Sequence, residues 1–325
     1  MTRYEVAEAF FKRPRKTTFV EVADVDIDDD DSIWLLTRGR YPVLVFDRDG
    51  EFAGAWGGTG PGDFAVPHGL TLGPDGFVYT VDVGMHTVRK WTREGRLLLT
   101  IGTPFQNSPP QSGVPFNRPS NVAVTPDGGV YVSDGYGNSS VHKFDAKGRY
   151  EGSFGRPGHG PGEFDLLHGI SLDRVTGDLL YCADRYNNRV QCFTLAGDFV
   201  AQWDGLRLPN AAVRAADGRL YVAELGNRVS VFDGRQLVAR WGEEDAEYGD
   251  EEIGGGLPGS PSRHPVLRAV AAREPGAGRL MMPHAVAVDS RGGVYVGEVA
   301  ETLLGVDRGD RSVQKFIPVP APRKA

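Results

Sequence analysis

The stretch HGLTLGPDGFVYTVDVGMHTVRKW (residues 68–91) decides the fold. It begins with a short apolar strand and turns at Pro74-Asp75-Gly76. A second strand then ends in an acid and a third ends in an aromatic. Asp-Gly between alternating apolar runs is a strong hairpin signal. The same unit returns as SNVAVTPDGGVYVSDGYGNSSVHKF (120–144), HGISLDRVTGDLLYCADRYNNRVQCF (168–193) and NAAVRAADGRLYVAELGNRVSVF (210–232). A last copy, HAVAVDSRGGVYVGEVA (284–300), resumes at RSVQKF (311–316), and a worn first copy covers 22–46. The apolar anchors two residues into each copy are Val25, Leu70, Val122, Ile170, Ala212 and Val286, with gaps of 45, 52, 48, 42 and 74 residues. Spacings of this size belong to propeller blades.

Most copies are followed by a fourth strand, as in RLLLTIG (96–102) and YEGSFG (150–155). The sequence therefore predicts an all-β chain: one six-bladed propeller of four-stranded blades, starting near 22, 67, 119, 167, 209 and 283. The sixth copy lacks a fourth strand, because the prolines of IPVPAPRKA (317–325) suit no ladder. The N-terminal segment 4–11 is expected to complete that blade and close the ring. Residues 243–280 fit no blade and are expected to form an inserted loop or a lid.

Composition agrees and narrows the function. The chain has 325 residues with 44 Gly and 22 Pro, punctuation suited to short strands and tight turns. A net charge of −7 argues against a nucleic-acid groove or an anionic membrane as main partner. No apolar run reaches membrane-spanning length and the N-terminus does not read as a signal peptide, so a cytoplasmic location is expected. The partner expected is a small-molecule or peptide-like carboxylate.

Two residues before the anchors stand Ala23, His68, Ser120, His168, Asn210 and His284. Histidine occupies blades 2, 4 and 6 alone. Alternate blades of a six-fold ring lie about 120° apart around the channel lined by the innermost strands, so three imidazoles can converge on the axis. Three histidines with a fourth position open is the ligand set of a catalytic zinc. The remaining histidines, His86, His142, His159 and His264, share no repeat position and are expected on the surface or in loops.

Just past each second strand come Arg38 in blade 1 and Arg185 in blade 4, opposite each other, with Tyr136 beside the corresponding place in blade 3. Matched arginines beside a metal suit an anion clamp. The acids ending the second strands, Asp82, Asp134, Asp184, Glu224 and Glu298, are expected to accept turn and ladder hydrogen bonds.

These motifs, with YVSDGYGNSSVHKF, LHGISL, CADRYNNRVQCF and MMPHAVAVDSRGGVYVG, resemble the NHL-repeat propellers and, among them, peptidyl-α-hydroxyglycine α-amidating lyase. The resemblance covers nearly all of residues 20–318 except 243–280. It implies zinc on His68, His168 and His284, a catalytic Tyr136, and Arg38 and Arg185 in catalysis and substrate binding. Met282 would line the pocket. The implied reaction cleaves an N-acyl hemiaminal of the α-hydroxyglycine type to an amide and glyoxylate, or acts on a related α-hydroxy acid derivative.

The resemblance also implies a calcium ion held by the backbone of Val25 and Leu70 and by an Asp after the third histidine. Ala285 stands at that Asp position, which argues against calcium. Cys192 matches one partner of a family disulfide, but Cys182 is one residue out of register, so free thiols are expected. Two other functions compete: a non-catalytic NHL propeller that binds a protein partner, and a lactonase-like hydrolase using a hard divalent metal. The latter chemistry favours Glu, Asp and Asn over a histidine-rich set.

Overall fold

A computed structural model describes residues 3–15, 17–58, 63–242, 252–253, 264–265 and 276–319. Among them are six four-stranded antiparallel sheets, each a blade of a propeller. Counted outward from the axis, blade 1 is Val22–Ile27, Ile33–Thr37, Val43–Phe46 and Phe52–Trp56. The inner strands of blades 2 to 6 are Pro67–Leu72, Asn121–Val124, Leu167–Leu172, Pro209–Arg214 and Pro283–Val288. Each inner strand contacts the inner strands of both neighbours, so the ring is complete.

The seams carry the core. Val81, Val88, Val122 and Val132 fill one seam between blades 2 and 3, and Leu180, Cys182 and Phe193 meet Ala123 and Val141 at the next. Alternating apolar residues on both faces of each sheet produce this arrangement, because successive side chains of a strand point to opposite faces. Each blade is thus apolar on both sides and stable only against its neighbours.

The ring closes through Arg3–Val6, which pairs antiparallel with the third strand of blade 6, Val313–Val319. The closing strand is shorter than the expected 4–11. The chain turns at Ala9, which has φ 52°, and Phe10 and Phe11 then pack against Phe46 and Tyr295 at the seam of blades 1 and 6. The strand before it also runs further than its prolines suggest. Pro318 lies opposite Tyr4, past the last residue that pairs with the second strand of the blade.

The second-strand acids fasten the segments that enter the inner strands. Asp82 accepts the N–H groups of Ala65 and Val66 at 2.6 and 3.0 Å. Asp184 accepts that of Asp165 at 2.9 Å and Glu298 that of Met281 at 3.2 Å. Arg189 and Arg308 pair with Asp184 and Glu298 at 2.8 and 2.9 Å. Most of the expected insertion, residues 243–280, lies outside the described residues; Glu252–Ile253 and His264–Pro265 form a two-stranded pair within it. No described helix is long and apolar enough to cross a membrane.

The cysteines lie on opposite faces of blade 4. Cys192 stands opposite Tyr181 and Cys182 opposite Gln191, so the two buried free thiols pack in different seams.

Candidate metal centre

The repeat position that carries histidine is a β-bulge. Register shifts occur between Pro67 and Gly69, Leu167 and Gly169, and Pro283 and Ala285. A bulge re-aims the side chain it leaves unpaired, and here it turns each histidine into the channel. Ring centroids of His68, His168 and His284 are separated by 4.8, 4.8 and 4.6 Å, nearly an equilateral triangle. All three residues are buried, and their ligand atoms lie within 4.8 Å of one another, a group able to hold a metal ion.

The odd-numbered blades orient these rings. His68 Nδ1 donates to the carbonyl of Ser120 at 2.7 Å, His168 Nδ1 to Asn210 at 2.9 Å and His284 Nδ1 to Ala23 at 2.6 Å. Each acceptor stands at the histidine position of the next blade around the ring. A carbonyl only accepts, so Nδ1 carries the proton and Nε2 keeps its lone pair; outer partners of this kind orient metal-ligating histidines.

Burial, followed by the Arg38 charge, lowers the His68 pKa to about 3. Burial likewise holds His168 and His284 well below the usual value, with Arg185 the next cause for His168 and His68 the next for His284. Neutral imidazole is the form that ligates a metal.

Tyr136 reaches the same point. Its hydroxyl lies 3.0 Å from Nε2 of both His68 and His168. One hydroxyl proton serves only one of two such acceptors, so this cluster leaves a lone pair without a donor, a place a cation can fill. A neutral all-nitrogen donor set fits zinc.

Gly135 makes the approach of Tyr136 possible: a Cβ there would stand 1.5 Å from the Leu167 carbonyl oxygen. The Arg185 guanidinium carbon is 5.8 Å from the Tyr136 ring centroid, and its Nε donates to Asn210 Oδ1 at 2.7 Å. Arg38 donates through Nη1 to Glu21 and to Thr302, each at 2.7 Å. Met282 is fully buried in an apolar cluster with Leu208, Leu225, Val299 and Ala300.

Asn210, Glu21 and Thr302 carried no role in the repeat comparison. Glu21 had a signal of its own. Four residues before the anchors stand Glu21, Val66, Arg118, Leu166, Leu208 and Met282, and blade 1 alone has an acid there.

His142 is not a surface residue. It is fully buried in blade 3, with Nε2 3.0 Å from Asp134 and Nδ1 2.5 Å from Ser153. Its apolar-strand position sinks it, and Asp134 satisfies it. His86 accepts the N–H of Arg118 through Nδ1 and His159 is exposed beside Asn187; the side chain of His264 lies outside the described residues.

At the expected calcium positions, the N–H groups of Val25 and Leu70 donate to the Asp24 carboxylate at 2.9 and 2.8 Å, and the Asn121 side-chain amide donates to it at 3.1 Å. Asp24 occupies, in blade 1, the repeat position that Ala285 holds in the adjacent blade 6. Burial pushes its pKa up to about 7. Asp24 lines a cavity of about 390 Å³ whose wall also includes Asp28, Arg93 and Arg174.

Comparison with known proteins gives the same architecture. A family model described as a 6-bladed beta-propeller matches residues 111–233, and an NHL-repeat model matches 64–91. The chain is 30% identical over 292 residues to NHL repeat-containing protein 3 of Mus musculus, with 85% of this chain and 72% of that protein aligned. It is 34% identical over 217 residues to peptidyl-alpha-hydroxyglycine alpha-amidating lyase 1 of Drosophila melanogaster, with 57% of this chain but 39% of that protein aligned. Among solved structures, a streptogramin B lyase superposes with a TM-score of 0.58 over 98% of both chains at 13% identity, a likeness of fold.

Proposed function

The chain belongs to the NHL-repeat six-bladed propeller family, and from that premise we propose that it is a zinc-dependent carbon–nitrogen lyase. Its substrate would be an N-acyl hemiaminal of the α-hydroxyglycine type, R-CO-NH-CH(OH)-COO⁻, or a related small α-hydroxy acid derivative. The products would be a primary amide and glyoxylate. The observation that carries this reading is the Tyr136 hydroxyl at 3.0 Å from two of three converging, carbonyl-anchored histidines. The similarity to an amidating lyase supports it.

His68, His168 and His284 would hold the zinc through Nε2. When bound, the ion supplies Lewis-acid polarisation of a substrate oxygen. Tyr136, acting as the tyrosinate, would take the hydroxyl proton at Oη, as general-base catalysis requires. The C–N bond then breaks with its electron pair on nitrogen, which takes up a proton to become the amide. The former carbinol carbon leaves as the aldehyde of glyoxylate, so no water is consumed and no redox partner is needed. Arg185, held by Asn210, would bind the carboxylate. The apolar cluster around Met282, Leu208 and Leu225 would exclude water on the side of blades 5 and 6.

The test is direct. Purified protein should hold about one zinc per chain and release glyoxylate from α-hydroxyhippurate above the spontaneous rate. A chain that binds no zinc after incubation with the metal is instead a non-catalytic binding propeller, and a calcium-only site would point to the hydrolase.

A further inference from the structure

The two arginines at the rim have different electrostatic surroundings. Arg38 Nη1 lies 2.7 Å from Glu21 Oε2, and the Glu21 side chain is 3% exposed. Glu21 is also bound from the other side: it accepts the backbone N–H of Thr302, and the Thr302 hydroxyl donates to Oε2 at 2.6 Å. Thr302 belongs to helix α1 (Ala300–Leu304), between the second and third strands of blade 6. Glu21, Arg38 and Thr302 therefore form a closed triangle across the seam where the ring closes. Arg185 is also buried, yet its Nε donates to the neutral amide of Asn210, and among the described residues no carboxylate is ion-paired with it.

The repeat explains why Glu21 stands there. The carbonyl four residues before the anchor accepts the N–H of the rim residue in five blades: Glu21 to Arg38, Val66 to Val83, Leu166 to Arg185, Leu208 to Leu225 and Met282 to Val299. In those five blades, position four before the anchor is thus the backbone neighbour of the rim position. In blade 4 that neighbour is Leu166 and leaves the arginine's charge uncompensated. In blade 1 it is Glu21 and cancels it.

We propose that Glu21, locked by Thr302, is a positioning residue that fixes Arg38 and cancels its charge. Among the described residues this leaves Arg185 as the one uncompensated cation beside the histidines, and it restricts the site to substrates bearing a single carboxylate. The proposal rests on the lyase reading for the place where substrate binds. Burial makes it effective, because charge pairs at low dielectric are poorly screened.

The test measures binding of two unreactive analogues to the zinc-loaded protein by calorimetry. Hippurate has one carboxylate; 2-benzamidomalonate adds a second on the same carbon. Wild type should prefer hippurate, and Arg185→Ala should weaken it at least tenfold. Glu21→Gln should shift the preference at least tenfold toward the dicarboxylate. Thr302→Val, which keeps the ion pair and the Thr302 N–H bond to Glu21 but loses the hydroxyl, should shift the preference in the same direction by less than Glu21→Gln does. An unchanged preference in Glu21→Gln overturns the proposal. So does an Arg38→Ala variant that weakens hippurate as much as Arg185→Ala does, a Thr302→Val shift as large as that of Glu21→Gln, or wild-type protein that does not bind hippurate. The readout needs no turnover. A chain that shows the shift but releases no glyoxylate keeps the Glu21 assignment and loses the lyase reading.

Discussion

Asn210 accepts Arg185 Nε at 2.7 Å from the repeat position that carries histidine in blades 2, 4 and 6. Its backbone carbonyl takes His168 Nδ1, and its side-chain nitrogen donates to the Pro283 carbonyl at 3.1 Å, one residue before His284. One residue therefore orients Arg185 and His168, and braces the strand that carries His284. Asn210→Ala should release Arg185 and leave the His168 anchor, which is backbone. The expected outcome is a raised KM for a carboxylate substrate with zinc content unchanged, read by steady-state kinetics beside metal analysis.

His68→Ala, His168→Ala and His284→Ala should each abolish stoichiometric zinc binding and leave a folded propeller. Three-ligand sites depend on every ligand, while the seams that hold the blades together do not include the histidine rings. Elemental analysis with far-ultraviolet circular dichroism checks both halves. A variant retaining full zinc would remove that residue from the ligand set. His142→Ala should keep its zinc but lose stability, because it empties a buried site and removes one of the hydrogen bonds to the buried Asp134.

Tyr136→Phe keeps the ring and removes the oxygen that faces two Nε2 atoms. Loss of a general base costs about 10²–10⁴-fold in rate. Turnover should fall by that order with zinc and fold intact. A wild-type rate in the variant would make Tyr136 a packing residue.

The fold and the histidine triangle were legible because repetition converts sequence position into spatial position. Three histidines at one repeat register had to meet once the ring closed. Asn210, Thr302 and the carbonyl anchors were not legible, for two reasons. A backbone acceptor leaves no trace in residue type, and Thr302 sits in an insertion with no equivalent in other blades. Glu21 was legible in principle at its own register. The closing strand was overextended because YEVAEAFF looks continuous, yet Phe10 and Phe11 gain more by burying their rings at the seam of blades 1 and 6 than by extending the ladder. His142 was misplaced for a related reason: a histidine in an apolar strand needs only one buried acid, and Asp134 supplies it.

Acid should destabilise the metal-free protein through the histidines. In the folded state they titrate below their ordinary value, His68 at about 3. The unfolded chain therefore binds more protons between pH of about 3 and 6.5, and stability rises with pH across that window. Above about 6.5 the histidine contribution is flat. Burial holds the Asp24 carboxyl at about 7, which opposes this trend, so the histidine share is read by difference: as pH drops from 6.5 toward 4, the urea midpoint of zinc-free His68→Asn should change less in the destabilising direction than that of wild type. An equal slope in the variant would place the acid sensitivity elsewhere.

Gly135→Ala tests how closely the blades must approach for the site to form. The added Cβ would lie 1.5 Å from the Leu167 oxygen and 2.8 Å from its Cα, contacts that no side-chain rotation relieves. Leu167 immediately precedes His168, and Gly135 immediately precedes Tyr136. The strain therefore falls on the two backbones that place a ligand and the candidate base. Blade 3 must move outward from blade 4, which separates Tyr136 Oη from His168 Nε2 and disturbs the His168 Nδ1 anchor at Asn210. Losing an outer partner of a metal-ligating histidine typically costs 10–100-fold in affinity. Gly135→Ala should therefore weaken zinc binding by about that factor and lose turnover, although residue 135 touches neither metal nor substrate. Competitive titration against a zinc chelator measures the first effect and glyoxylate release the second. Wild-type zinc affinity in a folded Gly135→Ala protein would show that the seam between blades 3 and 4 yields without transmitting strain to His168.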